Sequence, residues 1–312
     1  AEDELAAIGM VIGANWNGAR AFTATSGPGI SLMSEFLGLA YFAEVPVVLV
    51  NIQRGGPSTG MPTRTQQSDI TACAYASHGD TKHVLLFPSN PSEAFNFAME
   101  SFDLAERLQT PIILMSDLDL GMNEWTTSPL TIDESKDWDR GKVLDAEELD
   151  NVEKFGRYLD VDGDGIPYRT YPGTHPEKGA FFTRGTSHNE YAGYTEDGSV
   201  NVRVMERLLK KFSTAKTLVP APTFGQSTQS STMGLVYFGT TDIAIPETMN
   251  LLKSRGIQLD TMRIRAFPFC EDVVNFINDH EQVFLVEQNR DGQMRSLLIT
   301  ECEIDPAKIV PI

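Results

Sequence analysis

Between residues 4 and 116 the apolar positions switch repeatedly between two periods. Residues 4–14 (ELAAIGMVIGA) repeat at helical spacing, and 19–24 (ARAFTA) follow as a short strand. Residues 31–41 carry Leu32, Phe36 and Leu39 on one helical face. The run VPVVLVNI at 45–52 is apolar without alternation, which predicts a strand buried on both faces of a parallel sheet. Residues 84–87 (VLLF) read as another strand, ended by Pro88, and 111–116 (PIILMS) as a fourth. Between them 92–108 reads as a helix with Ala94, Phe95, Phe97 and Ala98 inward. Strands alternating with helices predict an α/β fold whose open, mostly parallel sheet is covered on both sides.

The texture changes from about 125 to 215. Apolar runs shorten, Gly and Pro become frequent, and charge is dense, as in DESKD at 133–137. Seven aromatic residues there (Phe155, Tyr158, Tyr168, Tyr171, Phe181, Phe182 and Tyr191) argue for an ordered linker and not a tail. The α/β rhythm then returns, with strands at 233–239, 259–264 and 282–287 and helices at 245–255 and 272–278. The expected organisation is an α/β domain at 1–125, a Gly/Pro/acid-rich ordered linker at 126–225, and a second open-sheet α/β domain at 226–312. Residue 1 is Ala, and Glu4 reads as the second element of a nucleotide-type α/β domain, so a first strand and helix are expected upstream.

Composition narrows the function classes. A formal net charge of −18 argues against a nucleic-acid-binding surface. No apolar run reaches the roughly 18–20 residues of a membrane span, and no signal-peptide pattern is present. Three scattered cysteines, Cys73, Cys270 and Cys302, fit a reducing cytoplasm and are too few to ligate a [4Fe–4S] cluster. They read as buried small hydrophobes.

The chemistry concentrates where a strand runs directly into a helix, at Thr25-Ser26-Gly27-Pro28-Gly29. Such a turn leaves backbone N–H groups free and lets a flat ring lie against the chain. Glu4 opens the helix upstream. A glutamate-led helix followed by a strand ending in TSGPG resembles the pyrimidine-binding domain of thiamine diphosphate enzymes. That chemistry needs a carboxylate against the pyrimidine nitrogen N1′. Further on, Arg54 stands at the mouth of a loop leaving the buried strand, where a guanidinium can hold a carboxylate through two parallel N–H bonds.

The runs ISLMSEFLGLAYFAEVP from Ile30 and QRGGPSTGMPTRTQQSD from Gln53 are similar to the alpha subunit of 2-oxoacid:ferredoxin oxidoreductases, the 2-oxoglutarate type above all. The resemblance continues through RYLDVDGDGIPYRTYPGT and FTRGTSHNEY, and so covers nearly the whole chain. It implies a thiamine-diphosphate pyrimidine-binding fold followed by a transketolase C-terminal-like fold. It also implies oxidative decarboxylation of a 2-oxoacid to an acyl-CoA, with electrons passing to ferredoxin. Glu4 would be the N1′ partner, Thr25, Ser26, Gly27, Pro28 and Gly29 the ring cradle, and Arg54 the substrate carboxylate anchor. His78, in a His-Gly-acid step, would touch substrate or cofactor. A beta subunit would bring Mg²⁺-diphosphate and the [4Fe–4S] clusters, in a dimer of heterodimers. The family's YPITP-type substrate loop and its gamma-type domain are not found in this sequence.

Two further features stand apart. Gly163-Asp164-Gly165 with Asn189 imitates the GDG…N diphosphate motif, but no buried strand precedes it and no helix follows, so it is rejected. Asp160, Asp162 and Asp164 instead form a D-x-D-x-D-G loop, read as a Ca²⁺ or Mg²⁺ site or as an acidic turn capped by its own backbone. Two rivals remain: a non-oxidative thiamine diphosphate decarboxylase or acetohydroxyacid synthase-like enzyme, and a non-catalytic subunit on the same fold. The 2-oxoacid itself is not fixed by the residues.

Overall fold

Asp3 starts the first helix, its side chain accepting from Leu5 N at 2.9 Å. That helix, α1 (Glu4–Trp16), buries Ile8 and Val11. The computed structural model describes residues 1–225 and 231–312. The expected boundary at 226 opens on residues 226–230, which lie outside the described residues. After α1 come β1 (Phe22–Thr25), α2 (Gly27–Phe42), β2 (Val47–Gln53), α3 (Ile70–Ala74), β3 (Val84–Leu86), α4 (Pro91–Leu108), β4 (Pro111–Asp117) and α5 (Leu118–Met122). The middle of the chain contributes α6 (Ala146–Asp150) and α7 (Gly198–Ala215). Then follow β5 (Thr223–Gly225), β6 (Met233–Phe238), α8 (Ile245–Ser254), β7 (Asp260–Ile264), β8 (Ala266–Phe267), α9 (Glu271–Asp279), β9 (Gln282–Leu285), α10 (Gln293–Cys302) and β10 (Ile309–Pro311).

The strands form two mostly parallel five-stranded sheets, giving an α/β fold. The first has the order β1-β2-β4-β3-β8 and the second β10-β9-β6-β7-β5. β8 runs antiparallel to β3, so residues distant in sequence complete the edge of the first sheet. The uninterrupted apolar runs become the inner strands, with Val47, Leu49, Leu85, Ile112 and Ile113 fully buried. One cluster joins these residues to Val236, Phe238, Ile264 and Phe267 of the other strands. The parallel register brings Thr25 beside Asn51 and Gln53 beside Asp117, which lines up the carboxyl ends of β1, β2 and β4.

The predicted strands and helices occur, with ends shifted by a few residues. The shift that matters is at α2, which begins at Gly27 and not at 31, so Gly27-Pro28-Gly29 is the first helical turn. α7 and α10 escaped the sequence reading. α7 repeats Val204, Leu208 and Phe212 at helical spacing, but it also buries Lys211 and nearly buries Arg207 on its inner side, and these cations break the apolar face.

Those cations meet Glu44, which is fully buried between α2 and β2. Arg207 grips its carboxylate with both terminal nitrogens, and Lys211 Nζ lies 2.7 Å away. Arg157 Nη2 donates to the Glu44 carbonyl at 2.7 Å. Burial pushes the Glu44 carboxyl up, but Arg207 and Lys211 outweigh it and bring it down to about 2. A second hub is Glu106 on α4, paired with Arg20 (2.7 Å), Arg140 (3.0 Å) and Arg169 (3.3 Å). Ion pairs thus fasten residues 140–211 to the first sheet's layer of helices.

Candidate functional site

The lined-up carboxyl ends open into a cavity of about 810 Å³. Its walls are the start of α2 (Gly27, Pro28, Ser31), the loop after β2 (Arg54, Gly56), Asp69 before α3, and Asn289, Arg290, Asp291 and Gln293 at the start of α10. The α2 turn is built for close approach. A Cβ at Gly29 would overlap Thr25 Oγ1 and come within 3.0 Å of Glu4 Cγ. Glu4, Thr25 and Gly29 are therefore packed side by side. Ser26 is extended and makes no side-chain cap, which leaves the α2 turn without a capping side chain. Glu4 is half-buried and makes no ion pair or hydrogen bond through its carboxylate among the described residues.

Arg54 follows the last residue of β2 directly. The loop beyond it folds back: Gly55 N donates to Arg64 O at 2.9 Å, and Met61 N to Gly55 O at 2.7 Å. Gly60 has φ +47° and lies so close to Gly55 O that no side chain fits. Arg54 makes no ion pair among the described residues, and its Nε is buried without a hydrogen-bond partner. An arginine that makes no ion pair among the described residues, lining a cavity at the carboxyl end of a strand, is equipped to take an anion.

Four residues of this site went unread in the sequence. Asp69 places its carboxylate 2.9 Å from where a Cβ of Gly27 would stand, and Asn51 Nδ2 donates to it at 3.1 Å. Burial pushes the Asp69 carboxyl up, against the pull of Asn51 and Arg54. Gln67, 1 % exposed, ties the Arg54 side of the cavity to the second sheet: its Nε2 donates to Phe238 O and its N to Gln288 O. Arg290 and Asp291 also line the cavity. β9 ends at Leu285, so the rule that ligands meet the carboxyl ends of strands would have pointed to 288–293.

His78 is not brought to Arg54. It precedes β3 and so lies at the amino ends of the strands, whereas Arg54 follows β2 at their carboxyl ends. The seven residues of β2 alone span about 20 Å. His78 is exposed and lines a different cavity, of about 390 Å³, with Tyr41, Asp80 and Asn201.

The aspartate loop is already filled by protein groups. Asp160 turns inward to accept from Gly163 N (2.8 Å) and Gly165 N (3.0 Å). Lys142 Nζ sits between Asp162 (2.7 Å) and Asp164 (2.9 Å), where a shared cation would have to stand. No group of three or more His, Cys, Asp or Glu side chains able to hold a metal ion occurs among the described residues. Asn189 Oδ1 accepts from Tyr191 N and Gly193 N within its own turn. Of the cysteines, Cys73 is buried while Cys270 and Cys302 are partly so, and all three are free. No helix among the described residues is long and apolar enough to cross a membrane.

Comparison with known proteins gives this geometry its context. Residues 1–201 match the family described as pyruvate flavodoxin/ferredoxin oxidoreductase, thiamine diphosphate-binding. The chain is 38 % identical over 312 residues to the 2-oxoacid:ferredoxin oxidoreductase 2 subunit alpha of Aeropyrum pernix, covering 98 % of this chain and 47 % of that one. It is 32 % identical to the 2-oxoglutarate synthase subunit KorA of Methanothermobacter thermautotrophicus, covering 94 % of this chain and 75 % of the relative. The 2-oxoglutarate:ferredoxin oxidoreductase of Magnetococcus marinus, solved with 2-oxoglutarate, coenzyme A and succinyl-CoA bound, superposes with a TM-score of 0.89 at 28 % identity. That match covers all of this chain and 53 % of the other. The chain thus spans about half the length of several relatives it matches.

Proposed function

The chain belongs to the pyruvate flavodoxin/ferredoxin oxidoreductase thiamine diphosphate-binding family, and from that membership we propose that it is the alpha subunit of a heteromeric 2-oxoacid:ferredoxin oxidoreductase acting on 2-oxoglutarate. The reaction joins 2-oxoglutarate and CoA to give succinyl-CoA and CO₂, with two electrons passing to ferredoxin. The observation that carries this reading is Arg54, a guanidinium that makes no ion pair among the described residues, in a cavity also lined by the Gly27-Pro28 turn.

Thiamine diphosphate, when bound, supplies the nucleophile and electron sink that decarboxylation of a 2-oxoacid requires. The residues present suit it. Gly29 admits Thr25 and Glu4 to one spot because it has no side chain to exclude them. In this reading Glu4 takes a hydrogen bond at pyrimidine N1′ and favours the ring form that accepts a proton. The turn from Thr25 to Gly29 lies against the ring. Arg54 holds the substrate carboxylate through paired N–H bonds and aligns the keto carbon. The chain offers no GDG…N strand–turn–helix for a diphosphate, so a beta subunit brings Mg²⁺-diphosphate and the iron–sulfur clusters. The working assembly is then a dimer of heterodimers, in the cytoplasm.

The test is anaerobic reduction of a viologen dye by the reconstituted complex, dependent on 2-oxoglutarate and CoA, with pyruvate in parallel. Arg54→Ala raises KM for the 2-oxoacid and lowers kcat/KM by about a hundredfold or more, the loss of a paired charge-assisted contact. Glu4→Gln lowers kcat by about a hundredfold, the scale of one general acid–base contribution. Full activity in both variants overturns the reading, and pyruvate preference changes the substrate alone.

A further inference from the structure

The Arg54 cavity is lined by a second arginine, Arg290, and its setting is unusual. Arg290 is bonded to its own chain neighbour, Asp291, at 2.6 and 3.1 Å, with side chains 90 % and 60 % exposed. A pair of adjacent, solvated groups holds weakly and exchanges readily for another anion. The backbone that carries it is held firmly. Asn289 Nδ2 donates to Gln67 O (2.9 Å) and to Glu287 Oε2 (2.7 Å). Gln293 Nε2 donates to Ser68 O (2.7 Å), and its Oε1 accepts from Thr71 N (3.1 Å). Glu287, itself buried, accepts from Met294 N and Arg295 N. A fixed loop thus presents an arginine whose counter-ion is local and replaceable.

We propose that Arg290 is a second oxyanion contact of this cavity, receiving a carboxylate or phosphate oxygen in place of Asp291 while Arg54 holds the first carboxylate. The inference rests on the reading of Arg54 given above and adds the substrate class: a ligand, or a pair of ligands, anionic at both ends. Arg54 and Arg290 line the cavity from loops that follow strands of different sheets; Arg54 is drawn to Asp69 but makes no ion pair among the described residues, and the acid beside Arg290 is the solvated Asp291. The arrangement suits a dicarboxylic 2-oxoacid, and equally a 2-oxoacid beside a phosphorylated co-substrate. One arm of the test separates the two.

The first arm is equilibrium titration of the full chain by ligand-observed NMR, with glutarate (two carboxylates) and butyrate (one). Arg290→Ala weakens glutarate about fivefold and leaves butyrate unchanged, as expected of one rim charge contact. Asp291→Asn removes the competing carboxylate and so tightens glutarate, the opposite sign from a neighbouring position. Arg54→Ala weakens both ligands. The second arm is KM for CoA in the reconstituted complex. If Arg290→Ala raises that KM and spares glutarate, the oxyanion is a CoA phosphate and the contact stands. Unchanged glutarate binding and unchanged CoA KM in both rim variants overturn the proposal. A silent Arg54→Ala beside a responsive Arg290→Ala removes the parent reading alone.

Discussion

The first sheet and the segment from residue 126 to 215 are held by different balances of force: apolar burial alone in the one, apolar burial plus buried ion pairs in the other. In the sheet, β2, β3 and β4 bury nearly every side chain, and the binding force is apolar area withdrawn from water. In the segment, the apolar contacts of Ile166, Leu208 and Phe212 are joined by ion pairs that converge on two glutamates. Glu44 gathers Arg157, Arg207 and Lys211, and Glu106 gathers Arg20, Arg140 and Arg169. Both acids sit on the apolar domain's own helices or loops, and most of the bases come from the segment. Apolar packing tolerates exchange of one hydrocarbon for another, whereas a buried ion hub fails when one member is lost. The difference predicts that the segment is the more brittle attachment.

Glu44→Ala gives the largest expected effect. It strands Arg207 and Lys211 as buried charges and leaves the fold less stable by about 3–5 kcal/mol. Chemical denaturation of the purified chain measures it. The matched apolar variant, Ile113→Val in β4, costs about 0.5–1.5 kcal/mol. Equal losses would mean that the ion hub is no more critical than one buried methyl, and the contrast would collapse.

A smaller effect follows with pH. Glu44 is held at about 2 by its cations against the upward push of burial, and Glu93, bound by Arg263 and Arg265, also lies at about 2. An unfolded glutamate titrates near 4.3, so the unfolded chain takes up protons first as pH falls. The stabilisation is complete above about pH 4.5 and drains away as pH drops toward 2, by about 3 kcal/mol for a group shifted this far. Acid titration of wild type and Glu44→Gln, followed by circular dichroism, separates the hub's share. The variant begins less stable and declines less steeply between pH 4.5 and 2. An unchanged slope would mean that Glu44 is not ionised in the fold.

The same contrast explains what was legible beforehand. VPVVLVNI and PIILMS declare themselves because an inner parallel strand needs no polar position. α7 does not, since Arg207 and Lys211 occupy its inward side and look like solvent-facing charge until Glu44 is placed. Arg54 and the Thr25–Gly29 turn were legible because each sits at a strand end with a distinctive residue. Asp69, Gln67 and Arg290 were not. Their meaning comes from the 288–293 loop meeting residues 67–71 across more than two hundred positions of chain, and one sequence holds no trace of that pairing. His78 shows what a local motif does not carry: its His-Gly-Asp step stands at the amino ends of the strands, away from Arg54, beside a cavity of its own.

The aspartate loop gives the smallest expected effect and tests the contrast at its margin. Asp160, Asp162 and Asp164 look like a metal loop by spacing, yet the loop follows the segment's general habit of meeting acid with base. Lys142 bridges Asp162 and Asp164, and Tyr168 donates to Asp162 at 3.1 Å. Asp162 is 43 % exposed, so its pair with Lys142 is solvent-screened, and Asp162→Ala leaves the melting temperature nearly unchanged. Asp160→Ala costs somewhat more, because the amides of Gly163 and Gly165 both lose an acceptor. Melting curves with millimolar Ca²⁺ and with EDTA should coincide. A rise in melting temperature with Ca²⁺ that disappears in Asp162→Ala would show the carboxylates leaving Lys142 for a metal, and the segment would then be held by something other than its own charges.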